Sequence, residues 1–310
     1  RISTMTDRLS ALERHWQKPW LYFLLLTALA PMIWGSTYIV TSQLLPPDRP
    51  FTAACIRALP AGVLLLLFTS RMFRREEGRR AGGLSRFVRL LILAALNIGV
   101  FQALLFVAAY RLPGGLAAVL GSVQPLIVML LVWAVDGVRP LAATLLSAVA
   151  GVIGMAMLLL SPQTVFDGLG IGAALLGAVC MATGVWLTRR WQMDMPVLAL
   201  TGWQLLLGGL MLLPLALWVD LPLPVLTPVQ WGAYAYLCVA GALVAYALWF
   251  RGLGRLPVEA AASLGLLSPL TAVLLGWVLL GQSITGVAGV GLVIVLASVF
   301  GVQWSTARRR

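Results

Sequence analysis

The sequence predicts an all-α integral membrane protein of ten transmembrane helices, arranged as two inverted five-helix repeats, and three observations carry that reading. Hydrophobic residues make up 61% of the chain and charged residues 10%, whereas an ordinary soluble domain is about 25% charged. The apolar residues gather into ten runs, each near the ~20 residues that a helix rising ~1.5 Å per residue needs to cross a ~30 Å hydrocarbon core. A stretch beginning at Arg111 recurs at Arg255.

Taken in order, the predicted spans are bounded by Pro, Gly or charge. The first, 20–43, follows Pro19 and stops at Pro46; the second, 51–70, follows Pro50 and stops at Arg71. The third, 87–109, lies between Arg86 and Arg111, the fourth, 113–135, opens on Pro113, and the fifth, 140–160, opens on Pro140. In the second half, 168–188 follows Asp167, 196–219 opens on Pro196, 230–250 ends at Arg251, 257–280 opens on Pro257, and 284–304 precedes a basic tail. The predicted organisation is therefore an N-terminal segment 1–19, a first repeat 20–160, a second repeat 161–304 and a tail 305–310.

Charge placement predicts the orientation. Residues 5–19 (MTDRLSALERHWQKP) carry both signs and lack a small-residue cleavage pattern, so they read as a retained cytoplasmic segment and not as a signal peptide. With that segment inside, so are Arg1, Arg8, Arg14, Lys18, the run from Arg71 through Arg89, Arg139, Arg189, Arg190, Arg251, Arg255 and the tail Arg308 to Arg310. Outside fall Arg49 and Arg111, and Arg57 lies within a span. The positive-inside rule then places both termini in the cytoplasm. The formal charge of +12 is thus a topology signal, and no nucleic-acid partner is expected. Cys55, Cys180 and Cys238 each lie alone in an apolar run, which predicts neither disulfides nor a metal cluster.

The internal repeat is the most informative feature. Residues 111–126 (RLPGGLAAVLGSVQPL) align without gaps on 255–270 (RLPVEAAASLGLLSPL), matching Arg111 with Arg255, Pro113 with Pro257, Gly121 with Gly265 and Pro125 with Pro269, and the register runs on to Trp133 and Trp277. Leu and Ala matches are cheap in this composition; Pro, Gly, Arg and Trp matches are not. The repeated helices are the fourth and the ninth. An odd separation of five spans means that they cross in opposite directions, which is the architecture typical of secondary transporters.

The first span with WGSTY (Trp34 to Tyr38), the second with RPFTAACIRALPAG around Arg57, the two proline-containing repeats and the ten-span length together resemble the EamA family of the drug/metabolite transporter superfamily, and within it the YddG-like aromatic amino-acid exporters. The resemblance covers nearly the whole chain. It implies a multi-pass protein of the bacterial inner membrane that exports amino acids or other metabolites, and a basic residue in the second span.

Pro125 and Pro269 fall mid-span, and each removes the hydrogen bond to the carbonyl four residues earlier, Gly121 or Gly265. These four residues are candidate hinges beside a central cavity; a static kink is the alternative, since Pro and Gly are common in membrane helices. Arg57 is the charge placed well inside a span, at a cost of about 2.5–3.5 kcal/mol on insertion scales, so it requires a partner or water. Carbonyls freed by Pro60 or neighbouring kinks are candidates, and its roles divide between structure and transport. Asp48, Asp136, Asp167, Asp194, Asp220 and the remaining acids map to termini, loops or span ends, while Glu259 enters a helix two residues after Pro257. A first-turn acid is favoured by the helix dipole, and proton coupling is the competing role for Glu259.

The expected solute lining is aromatic and neutral-polar. Trp34, Tyr38 and Thr41 share one helix face, as do Gln102, Phe106 and Tyr110. Gln102 aligns with Tyr246, and Gln124 and Ser268 precede the two kink prolines; Trp203 and Gln204 add polar groups in the seventh span. Trp34, Tyr38, Gln102, Gln124, Tyr246 and Ser268 form the predicted substrate set. Trp20, Trp133 and Trp277 fit an interfacial belt better. Such a site suits a small amphipathic solute moved by alternating access, with the lipid bilayer the other partner and no oligomeric state specified. A channel lacks a visible filter segment. An intramembrane enzyme lacks the means, because the single histidine, His15, precedes the first span. No cofactor or metal is expected.

Overall fold

The computed structural model describes residues 3–47, 49–73, 84–112, 114–160, 167–222, 224–281 and 286–307. Most of the predicted arginine run between Arg71 and Arg89, the boundary at 161, Pro113 and the end of the basic tail lie outside the described residues, as do the side chains of residues 3–19 and of Tyr110. Ten helices are long and apolar enough to cross a membrane: α1 Trp20–Thr41, α2 Pro50–Thr69, α3 Leu84–Ala108, α4 Ala118–Asp136, α5 Ala142–Leu159, α6 Gly168–Trp191, α7 Val197–Val219, α8 Pro228–Leu253, α9 Val258–Leu279 and α10 Val287–Ala307. They agree with the sequence-based spans to about a turn of helix, except that α4 counts as apolar only from Ala118 although its helix starts at Gly114. The charged N-terminal segment continues α1 backwards as helix to Ser3.

Sequence chemistry sets the helix ends. Thr227 and Gln230 form a reciprocal capping box at the start of α8, with Pro228 in its first turn. Asp167 accepts the Gly170 N–H at 2.6 Å at the start of α6. α4 and α9 both stop on a left-handed glycine, Gly137 (φ 71°) and Gly281 (φ 65°), a conformation in which a Cβ is costly.

Those two glycines align in the register that matches Arg111 with Arg255, and two further irregularities recur in it to within one residue. The α4 helix breaks at Ser122–Val123 and the α9 helix at Gly265–Leu266. α3 widens into a π segment at Ala95–Gly99 and α8 into another at Val239–Val244. Packing follows the same exchange of halves: α2 lies on α7 and α5 on α10, α3 on α6 as α8 on α1, and α4 on α6 as α9 on α1. The two self-paired contacts are made by small residues that let backbones meet. A Cβ on Gly62 or Gly209 would strike the α7 or α2 backbone, and one on Gly291 would strike that of α5.

Side-chain links sort the two ends of the bundle. At one end Arg189 donates to the Gly254 carbonyl at 2.9 Å, Arg190 pairs with Asp136 and covers Trp186, Arg86 donates to the Asp194 carbonyl, and Arg251 and Arg255 lie over Phe23. At the opposite end Arg49 donates to the Pro222 carbonyl at 3.2 Å and Arg111 stands 3.7 Å from Asp167. There Asp220, fully buried, accepts the Thr52 N–H at 2.5 Å at the start of α2, where a helix N-terminus favours an anion. The sequence places Asp220 at a span end, and burial there makes it a clasp between α2 and α7.

Candidate functional site

The π segment of α8 organises the centre. Its widened turn loosens the intrahelical bonding, and the Gly241 carbonyl is bonded from outside the helix by the Trp34 indole N–H at 3.0 Å and by Arg57 Nη2 at 3.2 Å. Gly241 permits this because a Cβ there would lie 3.1 Å from Thr37 Cγ2 and 3.7 Å from Arg57 Nε. Further along α8, the Tyr246 ring packs 4.9 Å from Trp34 and lies beneath the Arg57 guanidinium at 5.8 Å. The Tyr246 hydroxyl accepts from Gln102 Nε2 of α3 at 3.1 Å. Trp249, 5.4 Å from Trp34, and Phe250, stacked on Tyr246, complete the aromatic wall. Arg57 Nε, Trp249 Nε1 and Gln102 Oε1 are buried without a hydrogen-bond partner among the described residues.

Tyr38 reports open space. On α1, Tyr22, Leu25, Leu29 and Met32 form one exposed, lipid-compatible stripe, while Thr27, Pro31 and Gly35 are buried on the opposite face. Tyr38 continues that packed face at helical spacing, yet it is 48% exposed. Its surface therefore borders a space inside the bundle, toward the end that carries Arg49 and Arg111, and within electrostatic reach of Arg57.

Of the predicted lining, the structure brings Trp34, Gln102 and Tyr246 into one contact network, joined by the intramembrane charge Arg57, with Tyr38 at its open side. Gln124 and Ser268 stand instead at the helix breaks. The Gln124 amide oxygen lies 4.0 Å from where a Cβ on Gly265 would sit, so the break in α4 faces the break in α9. The Ser268 carbonyl abuts Gly35 of α1, a contact that any larger residue would obstruct. Among the described residues no hydrogen bond or ring contact joins Gln124 or Ser268 to the Trp34 network.

Several expectations need correction. Of the two sources expected for a partner of Arg57, Pro60 supplies none: the guanidinium donates to the Gly241 carbonyl, in the irregular π turn of the neighbouring α8. The Gly265 carbonyl is not left free by Pro269: it accepts the Ser268 N–H at 3.1 Å in the tight turn at the break. Trp133 and Trp277 are half-exposed, whereas the Trp20 indole nitrogen is buried. Glu259 is half-buried in the first turn of α9. Sequence reasoning missed Trp249, Phe250 and a second buried polar group around Asn97. Asn97 lies in the α3 π segment, aligned with Gly241, and its Nδ2 donates to Gln204 Oε1 at 2.8 Å and Thr188 Oγ1 at 3.2 Å. Among the described residues no group of three metal-ligating side chains occurs.

Ten apolar helices around a buried, charged and aromatic network define a multi-pass membrane protein with a polar interior. Residues 21–160 and 168–304 each match the EamA-like transporter family, and the chain belongs to that family. It is 43% identical over 277 residues to protein PecM of Dickeya dadantii, covering 88% of this chain and 90% of PecM. It is 25% identical to the uncharacterized inner membrane transporter YedA of Escherichia coli over 86% of each chain. A protein crystal structure shares the fold with a TM-score of 0.74 at 19% identity, covering 93% of this chain and 99% of the other. The chain is a membrane transporter of small solutes.

Proposed function

We propose that the protein exports a small amphipathic metabolite across the bacterial inner membrane, with amino acids bearing apolar or aromatic side chains as the leading class, by alternating access around the Trp34 network. Both termini are placed in the cytoplasm in this reading. The observation that carries it is the convergence of Trp34, Arg57, Gln102 and Tyr246 from four helices on one place beside the open face of Tyr38. Aromatic faces there can bury a ring or alkyl chain while a few polar groups orient the other end, which is how mostly apolar pockets gain selectivity. The helix breaks that face each other at Gln124 and Gly265 supply mobile joints beside that place. Location is supported by relatives such as YedA, described as inner membrane transporters; outward direction is supported by the family resemblance. The test is flux of labelled phenylalanine, tryptophan, leucine, threonine and a neutral sugar in proteoliposomes. Saturable movement of at least one amino acid over the sugar is expected; preference for the sugar, or no amino-acid movement or competition, overturns the assignment.

A further inference from the structure

We infer that Arg57 is the residue that recognises a carboxylate on the transported solute; the inference rests on the Trp34 network being the solute site. An arginine remains charged at any physiological pH; Arg57 is half-buried within the α2 span, with its Nε buried, and a cation held inside a span is normally matched by an anion. Arg57 is matched by none: among the described residues its contacts are one neutral main-chain oxygen, Gly241, and the face of Tyr246. The acids nearest in kind are committed elsewhere. Asp220 caps α2 through Oδ2, its Oδ1 buried without a partner among the described residues, Asp136 holds Arg190 and Trp186, and Asp167 holds the start of α6 and Arg111; among the described residues none of them contacts Arg57.

The surrounding hydrogen bonding is also short of acceptors. Arg57 Nε and Trp249 Nε1 are donors without acceptors, and the Tyr246 hydroxyl, already accepting from Gln102, has its own proton to give. The Gln102 amide oxygen is the opposing case, an acceptor without a donor, and it suits an N–H or O–H beside the carboxylate. A planar guanidinium is matched to a carboxylate because two parallel N–H groups meet two oxygens. Aromatic walls on the same site define the rest of the solute as an apolar body. Tyr38 marks the side from which such a solute reaches Arg57.

A series that shares a phenylethyl body tests this. 3-Phenylpropanoate carries a carboxylate, phenylalanine a carboxylate and an ammonium, 2-phenylethylamine an ammonium, and 3-phenylpropan-1-ol neither. Binding to the purified full-length protein is measured by calorimetry. The two carboxylates are expected to bind roughly tenfold or more tighter than the amine and the alcohol, the scale of a charge-assisted pair. In Arg57→Gln that gap closes, the carboxylates binding no more tightly than the alcohol does in the same variant. In Arg57→Lys, which keeps a point charge and also serves if Arg57→Gln does not fold, the gap narrows. No gap in the native protein, or an unchanged gap in either folded variant, overturns the carboxylate assignment alone. Absence of binding by all four overturns the site reading together with it.

Discussion

The Gly241 carbonyl joins three helices because Trp34 of α1 and Arg57 of α2 both donate to it from outside α8, and the Tyr246 hydroxyl extends the network to α3 through Gln102. Tyr246→Phe keeps the ring contacts and deletes the acceptor. It leaves a Gln102 amide that is 1% exposed with no partner on either atom, at an expected cost of about 1–2 kcal/mol. Denaturation of the purified protein in detergent measures it, and unchanged stability shows that the bond is not holding α3 to α8. Glu259 has a different character. It sits in a first turn, where the helix dipole accounts for an acid, so Glu259→Gln is expected to leave downhill exchange of solute largely intact. Loss of that exchange in a folded variant assigns Glu259 to gating or to the solute itself.

At the scale of elements, the breaks in α4 and α9 have a local cause and a distant consequence. Pro125 stands in the first turn of the helix segment that follows its break, where its missing N–H costs nothing but where the preceding turn cannot continue. Replacing Pro125 and Pro269 together with Ala permits continuous helices, so solute flux is expected to fall by more than equilibrium binding does. Equal losses of flux and binding place the prolines in the shape of the site and not in its movement. This also marks what the sequence makes legible. Spans and breaks follow from composition and from proline, whose effect is confined to one turn, and the duplication is legible because Pro and Gly are costly to match by chance. The π segments are not, since nothing in ALNIG or VAGALV distinguishes a widened turn from an ordinary one. Nor is the Gly241 partner of Arg57, 184 positions away, because only the packing of α2 on α8 selects it. Their place before the kink prolines groups Gln124 and Ser268 with the lining, but the structure turns one toward the opposite break and uses the other's backbone against Gly35.

Across the whole molecule the two ends differ. Arg189, seated on the Leu253 and Gly254 carbonyls, ties the α8–α9 connection to α6, and Asp136 with Arg190 and Trp186 ties α4 to the same helix. Toward the other end, Tyr38 is exposed on the packed face of α1, so on the proposed function the solute is expected to reach the Trp34 network from the end that holds Arg49 and Arg111. In the orientation proposed above, the tied, arginine-rich end is the cytoplasmic one. Together these statements predict an outward-facing molecule, and they can be checked separately. Reporters fused after Arg80 and at the C-terminus are expected to read cytoplasmic; an external reading from one alone breaks the even number of spans between them and with it the inverted arrangement, whereas external readings from both reverse the orientation. Accessibility then tests the open side. Cys55, Cys180 and Cys238 are buried, so Tyr38→Cys gives a thiol whose labelling is read above a low background. A membrane-impermeant maleimide is expected to label it in intact spheroplasts, faster than Thr27→Cys on the tied half of the same face. A reagent that reaches Tyr38→Cys only in inverted vesicles, with the reporters still cytoplasmic, places the opening at the arginine-rich end and overturns the outward-facing reading.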